Sequence, residues 1–122
     1  MQSFELEQLR EQGRRAGKPF LEFLRVRDAS AGLYQLPAGG TDLQSPHSED
    51  EVYYVISGKA KITVSGEDRP VQAGSLVYVA KNRSHRFHSI KEELTVLVFF
   101  APAEYSRKAA PSARKKTAPR RA

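Results

Sequence analysis

From Phe20 onward, short segments in which apolar and polar residues alternate are separated by glycine, proline and serine. Alternation with a period of two is typical of a β-strand that buries one of its faces. The predicted strands lie near residue 71 and over residues 20–27, 33–36, 52–56, 59–64, 76–79, 86–90 and 94–100. Because no long helical pattern separates them, the series predicts an all-β sandwich or barrel of antiparallel strands and argues against a parallel α/β sheet.

The length of 122 residues fits one domain with a single modest core. Residues 1–19 are predicted to form a helical segment, in which Ser3 caps a short helix that packs on the domain or on a partner subunit. The barrel is predicted over residues 20–105, with a tight hairpin at Ser57-Gly58. Residues 106–122 contain no apolar side chain larger than alanine, so they cannot offset the entropy of ordering and are predicted to be a disordered tail.

The net charge of +6 is concentrated in this tail. Seven of the 20 basic residues lie beyond Ser106, whereas all 14 acidic residues precede it. Such a tail resembles nucleic-acid-binding tails in composition, but no aromatic residue follows Tyr105 to stack on bases. A solvated tail is the favoured interpretation, and any nucleic-acid contact through it is expected to be weak, non-specific and sensitive to salt.

The chain contains no cysteine, so disulfides and thiolate metal ligands are excluded and any metal must be held by nitrogen and oxygen. The N-terminus has no apolar run, which argues against a secretory signal. The longest apolar stretch, residues 94–103, is far too short to span a membrane. A cytoplasmic protein without membrane contact is therefore expected.

His47 and Glu51 stand four residues apart at the entrance to a predicted strand, and His85 opens a later strand. In an extended chain, side chains at even separations point to the same face, so His47 and Glu51 can converge, and Glu49 shares their parity. Two imidazoles and a carboxylate from two strands predict a metal site. The alternative is a barrel whose polar pocket holds water or an organic ligand.

The spacing of these residues resembles the two sequence motifs of the cupin superfamily, in particular the small single-domain conserved-barrel type. The first motif falls on Gly39, Ser45, His47, Glu51 and Gly58, and the second on Gly74, Ala80, Asn82, His85 and Ser89. Ala80 stands in place of the family's turn proline and Ser89 in place of its final asparagine. Asn82 replaces a turn glycine, which is tolerable because asparagine enters the left-handed region more easily than most residues. The resemblance implies a double-stranded β-helix, or jelly-roll, barrel.

The same resemblance implies a divalent transition metal (Fe, Mn, Ni or Zn) held by His47, Glu51 and His85. Ser45 stands where the family has its first histidine, so one usual ligand is missing. A metal-dependent dioxygenase, isomerase or lyase acting on a small oxygenated metabolite is one expectation, with Glu49 or Tyr53 as an acid/base group. A non-catalytic module that binds a metal or a small molecule is the alternative. The family also implies a homodimer.

The remaining histidine and several aromatic residues are interpreted more conservatively. His88 lies three residues beyond His85, so it is predicted on the opposite face of the strand, at the surface. Aromatic residues in a small barrel usually form the core, although a pocket around the metal could use some of them. These residues are Tyr34, Tyr53, Phe87 and Phe99.

Overall fold

Six antiparallel strands follow one N-terminal helix in the computed structural model, which describes residues 1–42 and 46–106. The helix α1 spans Leu6–Ala16. The strands are β1 (Phe20–Val26), β2 (Ala29–Leu36), β3 (Asp50–Val64), β4 (Glu67–Gln72), β5 (Leu76–Val79) and β6 (His85–Ala101). The predicted all-β barrel is confirmed.

The two long strands β3 and β6 form the centre of the sheet. The strand order is β1-β2-β6-β3-β4, and β5 pairs with the first part of β3. Strand β3 pairs with β6 almost from end to end, from Asp50 opposite Ala101 to Val64 opposite His85. This pairing places the start of β6 beside the end of β3, and the start of β3 beside the end of β6.

The predicted hairpin at Ser57-Gly58 is wrong, because β3 runs through these residues without turning. Likewise, the two predicted strands over residues 86–90 and 94–100 are parts of β6. Bulges explain both differences, since the register between β3 and β6 shifts on either side of Ser57. Gly58 has a φ of 104° and lies against the backbone of Glu93, which is a conformation and an approach that favour glycine. A glycine after serine therefore marks a bend within a strand here.

The core lies between the inward faces of β2, β3 and β6. Tyr34, Tyr53 and Phe87 are its largest fully buried side chains, and Val55 and Val96 are also completely buried. Alternate residues of β3 are buried from Glu51 to Val55, as the period of two predicts. The prediction that Asn82 takes a left-handed conformation is confirmed by its φ of 62°.

The helix begins later than the sequence suggests. Its N-cap is Glu5, which makes no side-chain capping bond, so the predicted cap at Ser3 is wrong. It ends at Gly17, whose left-handed φ of 67° allows the usual glycine termination. Leu9 is buried, and the helix contacts β1 and β2.

The structure tests two further predictions, the disordered tail and the absence of membrane contact, only in part. Apart from Ser106, the predicted disordered tail lies outside the described residues. Within the described ranges, no helix is long and apolar enough to cross a membrane. The cytoplasmic location stays a prediction.

Candidate metal centre

The three predicted metal ligands come together at one end of β3. Glu51 is the second residue of β3 and His85 the first residue of β6. His47 precedes β3 in a loop, where its carbonyl oxygen accepts a 2.6 Å hydrogen bond from the Asn82 amide. His47 and Glu51 are each only 2% exposed, and His85 is 6% exposed. A loop, rather than strand parity, therefore brings His47 to Glu51.

The donor atoms of these residues are close enough to share one ion. Nδ1 of His47 lies 3.4 Å from Oε1 of Glu51, and Nε2 of His85 lies 3.3 Å from the same oxygen. One donor atom from each residue falls within 4.8 Å of the other two. Ligands about 2.0–2.2 Å from a common metal ion are separated by distances of this order.

His85 turns its Nε2 nitrogen toward Glu51. Its Nδ1 lies 2.9 Å from the carbonyl oxygen of Arg83, which can only accept, so Nδ1 carries the proton. Nε2, the nitrogen that faces Glu51, is therefore the one that could coordinate a metal.

His47 and Glu51 also lack well-formed hydrogen bonds. Both ring nitrogens of His47 and both carboxylate oxygens of Glu51 are buried without a hydrogen-bond partner of good geometry. Buried polar atoms are nearly always satisfied in native proteins, and a site for a bound ion is one of the accepted reasons for an exception. The donor set of two imidazoles and a carboxylate suits Fe, Mn, Ni or Zn, so the residues fit a divalent transition metal.

The electrostatics of the site hold a positive charge on His47 in the absence of a metal. Burial lowers the pKa of this imidazole, but the neighbouring carboxylates of Glu104 and Glu51 outweigh it and raise the pKa to about 9. The pocket around His47 therefore stabilises a cation, whether a proton or a metal ion supplies the charge.

Sequence reasoning missed Glu104 and Tyr105, which follow the last strand. Oε2 of Glu104 lies 3.0 Å from Nε2 of His47, and both side chains are 2% exposed. The Tyr105 ring stacks on the His47 ring with centroids 5.4 Å apart, and Phe100 packs at 4.8 Å. No spacing in the sequence relates Glu104 to His47, because only the pairing of β3 with β6 brings them together.

The two candidate acid/base residues occupy buried, structural positions. Glu49 is 1% exposed, so it is a buried carboxylate and not a solvated one on a loop. It accepts hydrogen bonds from the Ser48 hydroxyl and, at 2.5 Å, from the Tyr105 amide. Tyr53 shares the inward face with Glu51 and packs edge-on against Phe87, with ring centroids 4.9 Å apart. Its ring centroid lies 6.1 Å from that of His85.

The other aromatic residues divide between core and surface. Tyr34 is buried and donates its hydroxyl to Asp42, which also accepts a 2.7 Å bond from the Phe87 amide. Burial and then the Asp42 charge raise the pKa of Tyr34, so it stays protonated. Phe99 is 44% exposed and does not line the site.

The sequence also led to specific predictions for His88 and Ser45. His88 faces away from His85 as predicted and lies 2.9 Å from Asp68 and 3.0 Å from the Thr63 hydroxyl. The predicted surface position is only partly right, because the side chain is 21% exposed. Ser45, which replaces the family's first histidine, lies outside the described residues.

Two spaces in the described part of the barrel differ in size. The space beside Glu51 and Glu104, bounded by Tyr34, Tyr53 and Phe100, is too small to admit a water molecule. A larger open groove of about 570 Å³ lies between β4 and β5 and is lined by Ile62 of β3, Val71 of β4 and Val77 of β5, among other residues. Small-molecule sites commonly have volumes of 300–1,000 Å³.

Comparisons with known proteins agree with this architecture. The family model described as "Cupin domain" matches residues 32–101. An uncharacterised protein of Streptomyces coelicolor is 49% identical over 104 residues, which are 85% of this chain and 99% of that protein. A solved structure from Thermus thermophilus superposes with a TM-score of 0.67 at 18% identity and covers 84% of this chain and 99% of that one. The DMSP lyase DddQ from Ruegeria pomeroyi superposes with a TM-score of 0.63 at 18% identity, over 80% of this chain and 53% of that one.

Proposed function

The chain belongs to the cupin family, and from this premise we propose that it binds one divalent transition metal ion through His47, Glu51 and His85. The observation that carries the proposal is the convergence of three buried donor groups on one point. Two of them, His47 and Glu51, have no hydrogen-bond partner of good geometry. A bound cation would satisfy the Glu51 carboxylate and would take the place of the proton on the His47 nitrogen that faces it.

A ligand set of two imidazoles and one carboxylate leaves coordination positions open. When bound, the ion would supply Lewis-acid chemistry toward a bidentate oxygen ligand. The chain's own residues fix the geometry: the Arg83 carbonyl orients the His85 ring, and Tyr105 and Phe100 cover the His47 ring. This burial excludes water from the ligands and strengthens the attraction between Glu51 and a cation.

The finer proposal is a metal-dependent enzyme that acts on a small oxygenated metabolite, of the dioxygenase, isomerase or lyase type. One structural neighbour is named as a lyase, which places lyase substrates among those to test. The 18% identity to that neighbour supports a shared fold alone. Glu49 is a weaker acid/base candidate than the sequence suggests, because it is engaged with Ser48 and Tyr105.

A non-catalytic binding module is the second candidate, and two observations favour it. The space beside Glu51 has no room for a substrate within the described part of the barrel. The groove between β4 and β5 is large enough for a small metabolite and is lined by Ile62 and Val71 from the core. In this case the metal would stabilise the fold, and an organic ligand would occupy the groove.

Titration of the metal-free protein with Zn(II), Mn(II), Ni(II) and anaerobic Fe(II), in competition with a chromophoric chelator, tests the binding proposal. We expect one ion per chain in the wild type and in His88→Ala, and strongly weakened binding in His47→Ala and His85→Ala. His88 is a matched control because it lies three residues from His85 and faces Asp68. Equal binding by all four proteins, or by none, would contradict the proposal.

The two candidate functions are separated with the loaded protein. An enzyme is expected to turn over at least one small oxygenated acid or ester, and His85→Ala is expected to lose that turnover together with the metal. A binding module is expected to show saturable binding of a metabolite without turnover, and substitution of Val71 by Asp in the groove would abolish it. The homodimer and the tail's nucleic-acid contact stay predictions from the sequence.

A further inference from the structure

We infer that Glu104 is a positioning residue that selects Nδ1 of His47 as the nitrogen facing the metal. The inference rests on the proposed function, because it concerns how one of the proposed ligands is oriented. Glu104 stands outside both sequence motifs and follows the last strand of the barrel.

The two nitrogens of His47 face different carboxylates. Nε2 lies 3.0 Å from Oε2 of Glu104, whereas Nδ1 lies 3.4 Å from Oε1 of Glu51. A neutral imidazole carries one proton, and its other nitrogen provides the lone pair for a metal. Neither contact has good hydrogen-bond geometry in the metal-free site. The shorter distance to Glu104 nevertheless favours the proton on Nε2, which leaves the lone pair of Nδ1 directed toward Glu51 and His85.

The backbone of Glu104 is held firmly enough for this role. Its amide donates a 2.8 Å hydrogen bond to the Ser30 hydroxyl of β2, and its carbonyl accepts a 2.7 Å bond from the Arg25 guanidinium of β1. The next amide, that of Tyr105, donates to Glu49. The two bonds of Glu104 itself hold its backbone beside His47. The Tyr105 bond needs only an acceptor oxygen at position 49, which glutamine also provides.

His85 is oriented in the same way by a different acceptor. Its outward nitrogen is Nδ1, which donates to the Arg83 carbonyl at 2.9 Å, and its inward nitrogen is Nε2. Histidine ligands generally donate their second N–H to a carboxylate or a carbonyl, and loss of that partner typically costs 10–100-fold in metal affinity. Glu104 therefore accepts the outward N–H of His47 as the Arg83 carbonyl accepts that of His85. In His47 the outward nitrogen is Nε2 and the inward one is Nδ1, whereas in His85 the two are exchanged.

The test uses the full-length, Zn(II)-loaded protein and two readouts. Long-range ¹H–¹⁵N spectra assign which nitrogen of His47 is protonated, and chelator competition gives the Zn(II) affinity. Glu104→Met removes the acceptor and keeps the side-chain length, whereas Glu104→Gln keeps an acceptor oxygen without the charge. Glu49→Gln is the matched control, because Glu49 is an equally buried carboxylate that holds the same segment through Tyr105.

In the wild type we expect the proton on Nε2 of His47 and zinc on Nδ1. Glu104→Met is expected to weaken Zn(II) binding by about 10–100-fold and to lose the single protonation pattern of His47. Glu104→Gln is expected to keep the pattern with a smaller loss, and Glu49→Gln to keep both pattern and affinity. If the Met variant does not fold, the wild-type spectrum and the Gln variant decide.

Three results would overturn the inference. The first is a wild-type spectrum in which zinc is bound through Nε2 of His47. The second is wild-type affinity in Glu104→Met, and the third is an equal loss in Glu49→Gln, which would indicate a general effect on the segment. In all three cases the wild type still binds zinc, so the proposed function stands. Failure of the wild type to bind any metal would overturn both.

Discussion

Substitution of Gly58 by alanine should destabilise the fold far more than the same change at Gly66. Both glycines have positive φ values, 104° and 85°. A Cβ at Gly58 would lie 2.3 Å from the carbonyl oxygen of Glu93 and 2.7 Å from the Cα of Leu94. Both are backbone atoms of β6, so they cannot move aside as a side chain could. At Gly66, a Cβ meets no described atom within 4 Å.

The size of the effect follows from these contacts. A positive φ costs an alanine roughly 1–2 kcal/mol at either position. Overpacking adds about 1–3 kcal/mol at Gly58, because β3 and β6 must separate at their central bulge. We therefore expect Gly58→Ala to lose about 2 kcal/mol more free energy of unfolding than Gly66→Ala. Urea unfolding followed by circular dichroism measures both, and equal losses would refute the claim that β3 passes through Gly58 against β6.

Three further predictions concern the metal centre and the His88 pair. The pKa of His47 is raised to about 9, and an imidazole must lose a proton before its nitrogen can bind a metal, so Zn(II) binding at pH 7 should release about one proton. Calorimetry in buffers of different ionisation enthalpy measures this proton release. A binding enthalpy that does not depend on the buffer would contradict the prediction. Zn(II) at 100 times its Kd should raise the free energy of unfolding by about 2.7 kcal/mol, and this gain should disappear with a chelator and in His85→Ala but not in His88→Ala. The Thr63 hydroxyl and then His88 lower the pKa of Asp68 from 3.8, so its contribution to stability is present above pH 3.8 and is lost as the pH falls through the lowered pKa. The difference in Tm between wild type and Asp68→Asn should therefore shrink below pH 3.8, and a constant difference down to pH 2 would contradict this assignment.

The sequence predicted the fold class because alternation and turn residues are local properties. Alternate burial from Glu51 to Val55, the left-handed Asn82 and the helix end at Gly17 all follow from short-range chemistry. The hairpin at Ser57-Gly58 failed for a physical reason. The same positive-φ glycine serves a tight turn or a bulge, and only the long-range pairing with β6 decides between them.

The residues of the candidate site that follow a fixed spacing in the sequence were predictable. Those that reach the site only through the pairing of distant strands were not. His47, Glu51 and His85 stand at motif positions, and the structure places them together. Glu104 comes to His47 only because Asp50 of β3 pairs with Ala101 of β6, which no local pattern encodes. The burial of Glu49 was equally hidden from the sequence, because the Tyr105 amide that bonds to it belongs to the segment after β6.

Anomalous diffraction at the zinc edge, from crystals of the full-length protein loaded with one equivalent of Zn(II), tests the central claim most directly. We predict one anomalous peak per chain, within about 2.0–2.2 Å of a nitrogen of His47, a nitrogen of His85 and an oxygen of Glu51. A peak at the His88–Asp68 pair instead, or none within reach of His47 and His85, would contradict the account.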